Sequence, residues 1–337
     1  MAVTVNGYPA VFTPGGAAAG GAFSISELPL TEGKNAITVE AKDRAGNIGT
    51  SIINVELDTL APVIQVSSPV QGAFVNTPRI SVTGSVTEIN PDGLWVNGNP
   101  ITLTSGSFSV ADFQLTEGSN TITIKAKDKA GNESTATVSL TLDTIAPSVT
   151  ITAPASGLLT KTPQVAVSGT VTETNLTVSI NSVAALVSNQ IYSVSSYTLT
   201  EGRNTLVATA VDRAGNSGQA SVSVTLDSTP PAPPVISPLA TPSPTPIVIV
   251  SGTAEAGSAI SIYTATGQAA AVLVGTVTAS TQGSFSLANV TLAEGTTTFT
   301  AIATDSVGNT SDTSAPVSVQ KDTTPPVITV TSPPNNS

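Results

Sequence analysis

One short pattern, D-x-(A/V)-G-N, recurs four times along the 337-residue chain and limits what the chain can fold into. Its aspartates are separated by 85, 84 and 93 residues, and a second landmark, (T/A)-E-G, keeps the same three spacings. A third landmark, an aspartate in a proline-containing linker, recurs at intervals of 85, 84 and 95 residues. Self-similarity at a fixed period is typical of tandem modules, so the sequence predicts an array of repeats. The pattern aspartates are Asp43, Asp128, Asp212 and Asp305.

Apolar and polar residues alternate within each repeat. In NTITIKAKD, residues 120–128, Ile122 and Ile124 alternate with threonines, which is the pattern of a strand with one buried face. The segment 59–143 divides into seven such stretches between Gly, Pro, Asn and Asp clusters, and ITLTSG at 101–106 is the fourth. Seven short antiparallel strands predict an all-β fold, a tandem array of immunoglobulin-like sandwiches. The chain has no cysteine, which excludes antibody-type domains.

Two apolar positions keep step with the (T/A)-E-G glutamate. An aromatic residue stands nine positions before it, and a leucine stands two positions before it. Both are predicted to point into the core. They are Phe23, Phe108, Tyr192 and Phe285, followed by Leu30, Leu115, Leu199 and Leu292.

The composition removes several classes of function. With no Cys and no His, the chain has no thiolate nucleophile, no imidazole base and no Cys/His zinc site. Its net charge of −11 argues against DNA, RNA or anionic lipid as a partner, because those ligands need Lys/Arg clusters. No apolar run approaches the roughly 20 residues of a membrane helix. We therefore expect neither an enzyme, nor nucleic-acid binding, nor membrane insertion.

The landmarks place the repeats at 1–58, 59–143, 144–227 and 228–322, with the first strand of a further repeat at 323–337. AVTVNG at the start aligns with the third strand of the second repeat, so the first repeat lacks two strands and we expect an excerpt from a longer array. The short linkers LDTLAP and LDTIAP predict head-to-tail stacking. The proline-rich entry to the fourth repeat has two interpretations, a replacement for its first strand or a flexible hinge.

The frame LTEGxNTITIKAKDKAGN…VSLTLDTIAPSVTI resembles the bacterial Ig-like (Big-type) repeats of large secreted and surface proteins, including adhesin stalks. This resemblance implies a bacterial, extracellular or cell-surface location and a non-catalytic role as a structural spacer, fibre or adhesin stalk. Two alternatives stay open. One is an array of glycan- or protein-binding modules, and the other is an accessory region of a secreted carbohydrate-active enzyme.

Sandwich topology predicts that three acidic positions of each complete repeat meet at the pole where the chain enters. They are the linker Asp, a Glu in the loop between the second and third strands, and the Asp of D-x-(A/V)-G-N. One interpretation is a set of capped turns with solvated acids. The other is a Ca²⁺ site between repeats, since oxygen-only ligands suit Ca²⁺ and some adhesin arrays bind it there. The three sets are Asp58, Glu88 and Asp128; Asp143, Glu173 and Asp212; and Asp227, Glu255 and Asp305.

The partners expected from these patterns are neighbouring repeats of the same or an adjacent chain, and a glycan or protein of the cell surface. Residues 323–337 resemble a first strand, so they are candidates for pairing with the incomplete first repeat of another molecule. The alternative is a first repeat that is simply frayed. Trp95, the single tryptophan, is predicted to point outward, either partly covered by a loop or available to stack on a sugar.

Overall fold

A computed structural model describes residues 1–16 and 20–329, which form strands and turns. The all-β prediction is confirmed, and no helix in these ranges has the length and apolarity needed to cross a bilayer. The chain divides into two compact units. Unit 1 contains Met1–Ile145 with the loop Arg213–Asn216, and unit 2 contains Ala146–Asp212 and the chain from Ser217 onward.

Repeat 1, in unit 1, has one four-stranded sheet and a short hairpin. The sheet order is β2-β1-β5-β6, and β3 pairs with β4. The prediction that Phe23 points into a core is wrong, since its side chain is 47% exposed. Only the β3–β4 hairpin lies beside this sheet, so no second sheet covers it. The strands are β1 Ala2–Val5, β2 Tyr8–Pro9, β3 Val11–Thr13, β4 Ala22–Ser24, β5 Gly33–Lys42 and β6 Ile48–Leu57.

Repeat 2, also in unit 1, is a complete sandwich. Its sheets have the orders β11-β10-β13-β14-β8 and β12-β9-β7, and they enclose one apolar core. Ile122 and Ile124 are fully buried at the predicted inward positions, with Phe108 and Leu115 beside them. The strands are β7 Val63–Ser68, β8 Phe74–Val75, β9 Arg79–Thr87, β10 Pro91–Val96, β11 Asn99–Pro100, β12 Ser107–Gln114, β13 Gly118–Asp128 and β14 Glu133–Leu142.

The predicted strand at 101–106 is wrong. Ser105 and Gly106 have φ values of 51° and 75°, so the chain reverses there instead of running along a ladder. Ile101 and Leu103 nevertheless pack against the core. The alternation that suggested a strand therefore reflects burial of a loop.

Repeat 3, in unit 2, has the same plan. Its sheets run β15-β17-β21-β20 and β16-β23-β22-β18-β19. Tyr192 and Leu199 are buried where the landmarks place them. The strands are β15 Val149–Ala153, β16 Leu158–Thr160, β17 Gln164–Val171, β18 Thr177–Ile180, β19 Val183–Ala184, β20 Leu186–Ser188, β21 Ile191–Thr198, β22 Gly202–Val211 and β23 Ser217–Leu226.

Repeat 4 completes unit 2, with sheets β24-β25-β28 and β27-β26-β29-β30. The proline-rich entry supplies β24, which pairs antiparallel with β25, so this segment takes the place of a first strand. Residues 323–329 are not in a strand, and 330–337 lie outside the described residues. The strands are β24 Val235–Ile236, β25 Ile247–Thr253, β26 Ala259–Thr266, β27 Val272–Thr278, β28 Ser284–Thr291, β29 Gly295–Thr304 and β30 Val317–Lys321.

Candidate functional site: the linker and its two anchors

The D-x-(A/V)-G-N loop is a turn capped by its own aspartate. In repeat 2, Oδ1 of Asp128 accepts the backbone N–H groups of Gly131 and Asn132 at 2.7 and 2.8 Å, and Oδ2 accepts Nδ2–H of Asn132 at 2.8 Å. Gly131 has φ of 100°, which favours glycine. Asp43 and Asp305 cap their turns in the same way, with both carboxylate oxygens engaged.

The asparagine of this loop also binds the linker that precedes its repeat. In unit 1, Nδ2 of Asn132 donates to the carbonyl oxygens of Asp58 at 3.1 Å and Leu60 at 3.4 Å. The same contact recurs at two later linkers, from Asn216 to the Asp143 carbonyl at 2.7 Å and from Asn309 to the Asp227 carbonyl at 2.9 Å. We call this contact the linker clamp.

A glutamate of the preceding repeat holds each linker from the other side. Glu32 accepts the backbone N–H of Thr59 at 3.1 Å and its hydroxyl at 2.8 Å. The (T/A)-E-G landmark therefore marks a second anchor. Glu117 and Thr144 repeat both bonds at 3.1 and 3.0 Å, and Glu201 accepts the hydroxyl of Ser228 at 2.7 Å.

The same loops also contact the short parallel strand of the repeat before them. Within unit 2, Nζ of Lys161, directly after β16, donates to the carbonyl oxygen of Gly308 at 2.7 Å. Within unit 1, the guanidinium carbon of Arg213 lies 4.1 Å from the centroid of the Phe74 ring in β8. This cation–π geometry adds an attraction that does not depend on the clamp.

The first predicted acidic set does come together. Carboxylate oxygens of Asp58, Glu88 and Asp128 lie within 4.8 Å of one another. Asp128 is fully buried, and the other two are half-buried. Glu88 accepts the N–H groups of Ile89 and Asn90 at 2.7 and 2.9 Å. In the part of the chain that the structure describes, no lysine or arginine forms an ion pair with this set.

Hydrogen bonding keeps Asp128 and Asp305 ionised. Burial acts to raise the pKa of Asp128, but the Asn132 side chain and the backbone N–H groups of Asn132, Gly131 and Ala130 outweigh it. The pKa of Asp128 is therefore below its ordinary value, and the pKa of Asp305 is lowered by the matching set of donors. A carboxylate with this many donors carries its negative charge through the neutral pH range.

The other two sets differ from the first. Asp143 lies in unit 1 while Glu173 and Asp212 lie in unit 2, and that set stays a prediction. Among the described residues, Asp227, Glu255 and Asp305 do not form a comparable group. Their backbone and side-chain oxygens serve local turns and the clamp instead. Asn309 binds the Asp227 carbonyl, the Glu255 carbonyl accepts the Ser258 hydroxyl at 2.7 Å, and Asp305 caps its own loop.

Two family models match the chain. Residues 62–144 and 147–228 match the model described as glucodextranase, domain B, and residues 243–320 match the bacterial Ig domain model. The predicted resemblance to bacterial Ig-like repeats is confirmed by these matches.

Two curated proteins share short stretches with the chain. Bacillopeptidase F of Bacillus subtilis is 35% identical over 120 residues, which is 35% of this chain and 8% of that protein. Halomucin of Haloquadratum walsbyi is 32% identical over 100 residues, 27% of this chain and 1% of that protein. The chain thus spans less than a tenth of either relative.

Solved structures of tandem β modules are also similar. A tetra-tandem repeat from the extending region of a large adhesion protein is 25% identical with a TM-score of 0.39, covering 96% of this chain and 92% of that one. A Ca²⁺-stabilised adhesin of an Antarctic bacterium is 20% identical with a TM-score of 0.36, covering 95% of this chain and 90% of that one.

Proposed function

We propose that this chain, which is a tandem array of bacterial Ig-like repeats, is a non-catalytic extracellular spacer that carries a distal part of its protein away from the bacterial surface. The observation that supports this proposal most directly is that three successive linkers are bound by a glutamate of the preceding repeat and an asparagine of the following one. A spacer needs adjacent modules to keep a defined relation, and short linkers with fixed hydrogen bonds restrict that relation.

Two features support the absence of catalysis, and a third suits a spacer. The chain has no Cys and no His to act as nucleophile or base. The engaged carboxylates serve turns and linkers, and they recur from repeat to repeat, whereas an active site is usually singular. The net charge of −11 favours solubility in a long exposed array.

The spacer role is tested by the distance across the linker at 58–62. The chain has no native cysteine, so single cysteines at Thr50 and Thr135 carry spin labels without background. Both positions are exposed, one in β6 and the other in β14. We expect an interspin distance distribution nearly as narrow as that of a control pair within repeat 2, Ser109 and Thr135. A distribution as broad as a flexible linker gives would contradict the proposal.

We propose Ca²⁺ as a ligand of the acidic set Asp58, Glu88 and Asp128. The fit rests on chemistry. Three carboxylates lie within 4.8 Å of one another without an ion-paired base in the described structure, and hard oxygen ligands suit Ca²⁺. The ion would relieve repulsion between Asp58 and Asp128, which the linker clamp brings together.

Calcium binding is measured by thermal melts of the full chain in EDTA and in excess Ca²⁺. Binding to the folded state alone raises the melting temperature. The rise should shrink in Glu88→Gln and persist in Glu27→Gln, because Glu27 is an exposed acid outside the set. Equal melts in EDTA and Ca²⁺ would remove the ion from the proposal and leave the spacer role intact.

A second role is favoured by the match of residues 62–144 and 147–228 to a glucodextranase domain, namely an accessory region of a secreted carbohydrate-active enzyme. The parent reading frame distinguishes the two roles. A catalytic domain beside the array favours the accessory role, and many further repeats with a surface-anchoring region favour the spacer.

A further inference from the structure

The outward face of repeat 2 carries an aromatic plate that the spacer role does not use. Trp95 is half-buried on β10, with its flanking residues Leu94 and Val96 in the core. A methyl group on Gly93 would lie 2.3 Å from Cη2 of the Trp95 ring, and 2.8 and 2.9 Å from Cζ2 and Cζ3. These similar distances show that the ring lies face-down over the glycine. Its other face is directed away from the sheet.

This plate is specific to repeat 2. At the position of Trp95 the other repeats have Thr4, Ser179 and Ser261, which shows that the fold needs no aromatic residue there. Gly93 is likewise found only in repeat 2. A strand glycine is destabilising relative to alanine, and here it makes room for the ring. Its counterparts in the other repeats are Ala2, Thr177 and Ala259.

Charged groups surround the plate on the same face. Lys125 lies opposite Trp95 in the β10–β13 ladder, and Lys127 lies opposite Gly93. Glu133 forms an ion pair with Lys125 at 2.8 Å, which leaves the lysines in excess by one charge. Trp95, Lys125, Lys127 and Glu133 line a shallow hollow of about 460 Å³. At the positions of Lys125 and Lys127, repeat 3 has Thr209 and Val211. Repeat 4 has Ile302 and Thr304 there, so neither repeat carries a lysine at these positions.

We propose that this face, the Trp95 plate, binds an acidic glycan. A pyranose ring stacks on the open face of Trp95, and its carboxylate or sulfate pairs with Lys127. The local excess of positive charge, in a chain of net charge −11, selects an anionic partner over a neutral one. Rigid placement on three paired strands, β10, β13 and β14, holds the aromatic and ionic contacts in register.

Because Trp95 is the single tryptophan, its fluorescence reports on this face alone. The full chain is titrated with short oligogalacturonates, and with maltooligosaccharides of matched length as the neutral control. We expect a saturable change with the acidic probe that weakens as salt is added. Calorimetry should show that Trp95→Thr lowers affinity by about tenfold or more, which corresponds to ~1.4 kcal/mol. Lys127→Gln should weaken the binding of the acidic probe and leave the Trp95 fluorescence of the unliganded chain unchanged.

The competing explanation is that Trp95 only covers the backbone at Gly93. Trp95→Thr with Gly93→Ala reproduces the small residues found in repeat 1, Ala2 and Thr4, so this double variant should fold and melt like the parent chain but no longer bind the acidic probe. No spectral change at millimolar oligogalacturonate would overturn the proposal. An equal response to the neutral sugars would overturn the acidic specificity.

Discussion

Replacing Asn132 by alanine should loosen the linker before repeat 2 while the repeat itself stays folded. The substitution removes the Nδ2 bond to the Asp128 carboxylate, at 2.8 Å, and the contacts to the carbonyl oxygens of Asp58 and Leu60, at 3.1 and 3.4 Å. The first loss weakens the turn, and the other two remove the linker clamp. A control must therefore separate the turn from the clamp.

Asn47→Ala provides that control. Nδ2 of Asn47 donates to the Asp43 carboxylate at 2.8 Å and, within residues 1–16 and 20–329, has no linker carbonyl as partner. The clamp contact at 3.4 Å is long, so the two carbonyl contacts count together as about one hydrogen bond. A neutral bond of this kind contributes ~1 kcal/mol net. The linker should therefore open about fivefold more often in Asn132→Ala, and at the parent rate in Asn47→Ala.

Hydrogen exchange measured by mass spectrometry follows this opening directly. The peptide covering residues 56–62 contains the N–H of Thr59, bound to Glu32, and the N–H of Leu60, bound to the Asp58 carboxylate. Its exchange should accelerate in Asn132→Ala, whereas a peptide from the centre of β13 should exchange as before. If the linker peptide exchanges at the parent rate in a folded variant, the clamp does not hold the linker.

Three further predictions concern stability. The pKa values of Asp128 and Asp305 are lowered in the folded state, so their contribution to the free energy of unfolding is complete above the ordinary aspartate pKa of about 3.9. It is lost as the pH falls through their folded-state pKa values. Thermal melts from neutral to acidic pH should show a falling melting temperature, and an unchanged melting temperature would refute this prediction. Gly84→Ala places a Cβ 2.3 Å from a carbonyl oxygen of β7 and should cost about 1–3 kcal/mol in urea denaturation, while Gly49→Ala, with open space around it, should be nearly neutral. Thr297 has a buried hydroxyl without a partner in the described structure, so the isosteric Thr297→Val should stabilise repeat 4 by about 1 kcal/mol, and a lower denaturation midpoint would contradict this.

The sandwich and its core were accessible from the sequence because both depend on local periodicity. Alternation placed Ile122 and Ile124 on a buried face, and the recurring aromatic placed Phe108 and Tyr192 in the core. The same rule failed at 101–106, where loop residues are buried without forming a ladder. Two-residue strands such as β8 are too short to show a period, so pattern alone does not find them.

The linker anchors were harder to predict because one partner in each is a backbone group. A carbonyl oxygen leaves no signature in the sequence, so nothing connected Asn132 to Asp58 across 74 residues. The glutamate anchor did leave a signal. A threonine or serine stands 27 residues after Glu32, Glu117 and Glu201 alike. The fixed spacing between an acid and a hydroxyl residue in three repeats is the sequence signal of this pair, which was not predicted.

The recurrence of the whole D-x-(A/V)-G-N pattern follows from the demands on its last residue. A capped turn needs the aspartate and a glycine with positive φ, but it does not need asparagine at the end. In repeat 2 the Nδ2 atom of Asn132 donates one hydrogen to Asp128 and the other to the linker. An aspartate there would donate none, and a serine hydroxyl would donate one. The need for two donors on one short side chain favours asparagine in repeats 2, 3 and 4, where the linker clamp is formed, whether or not an ion binds beside it.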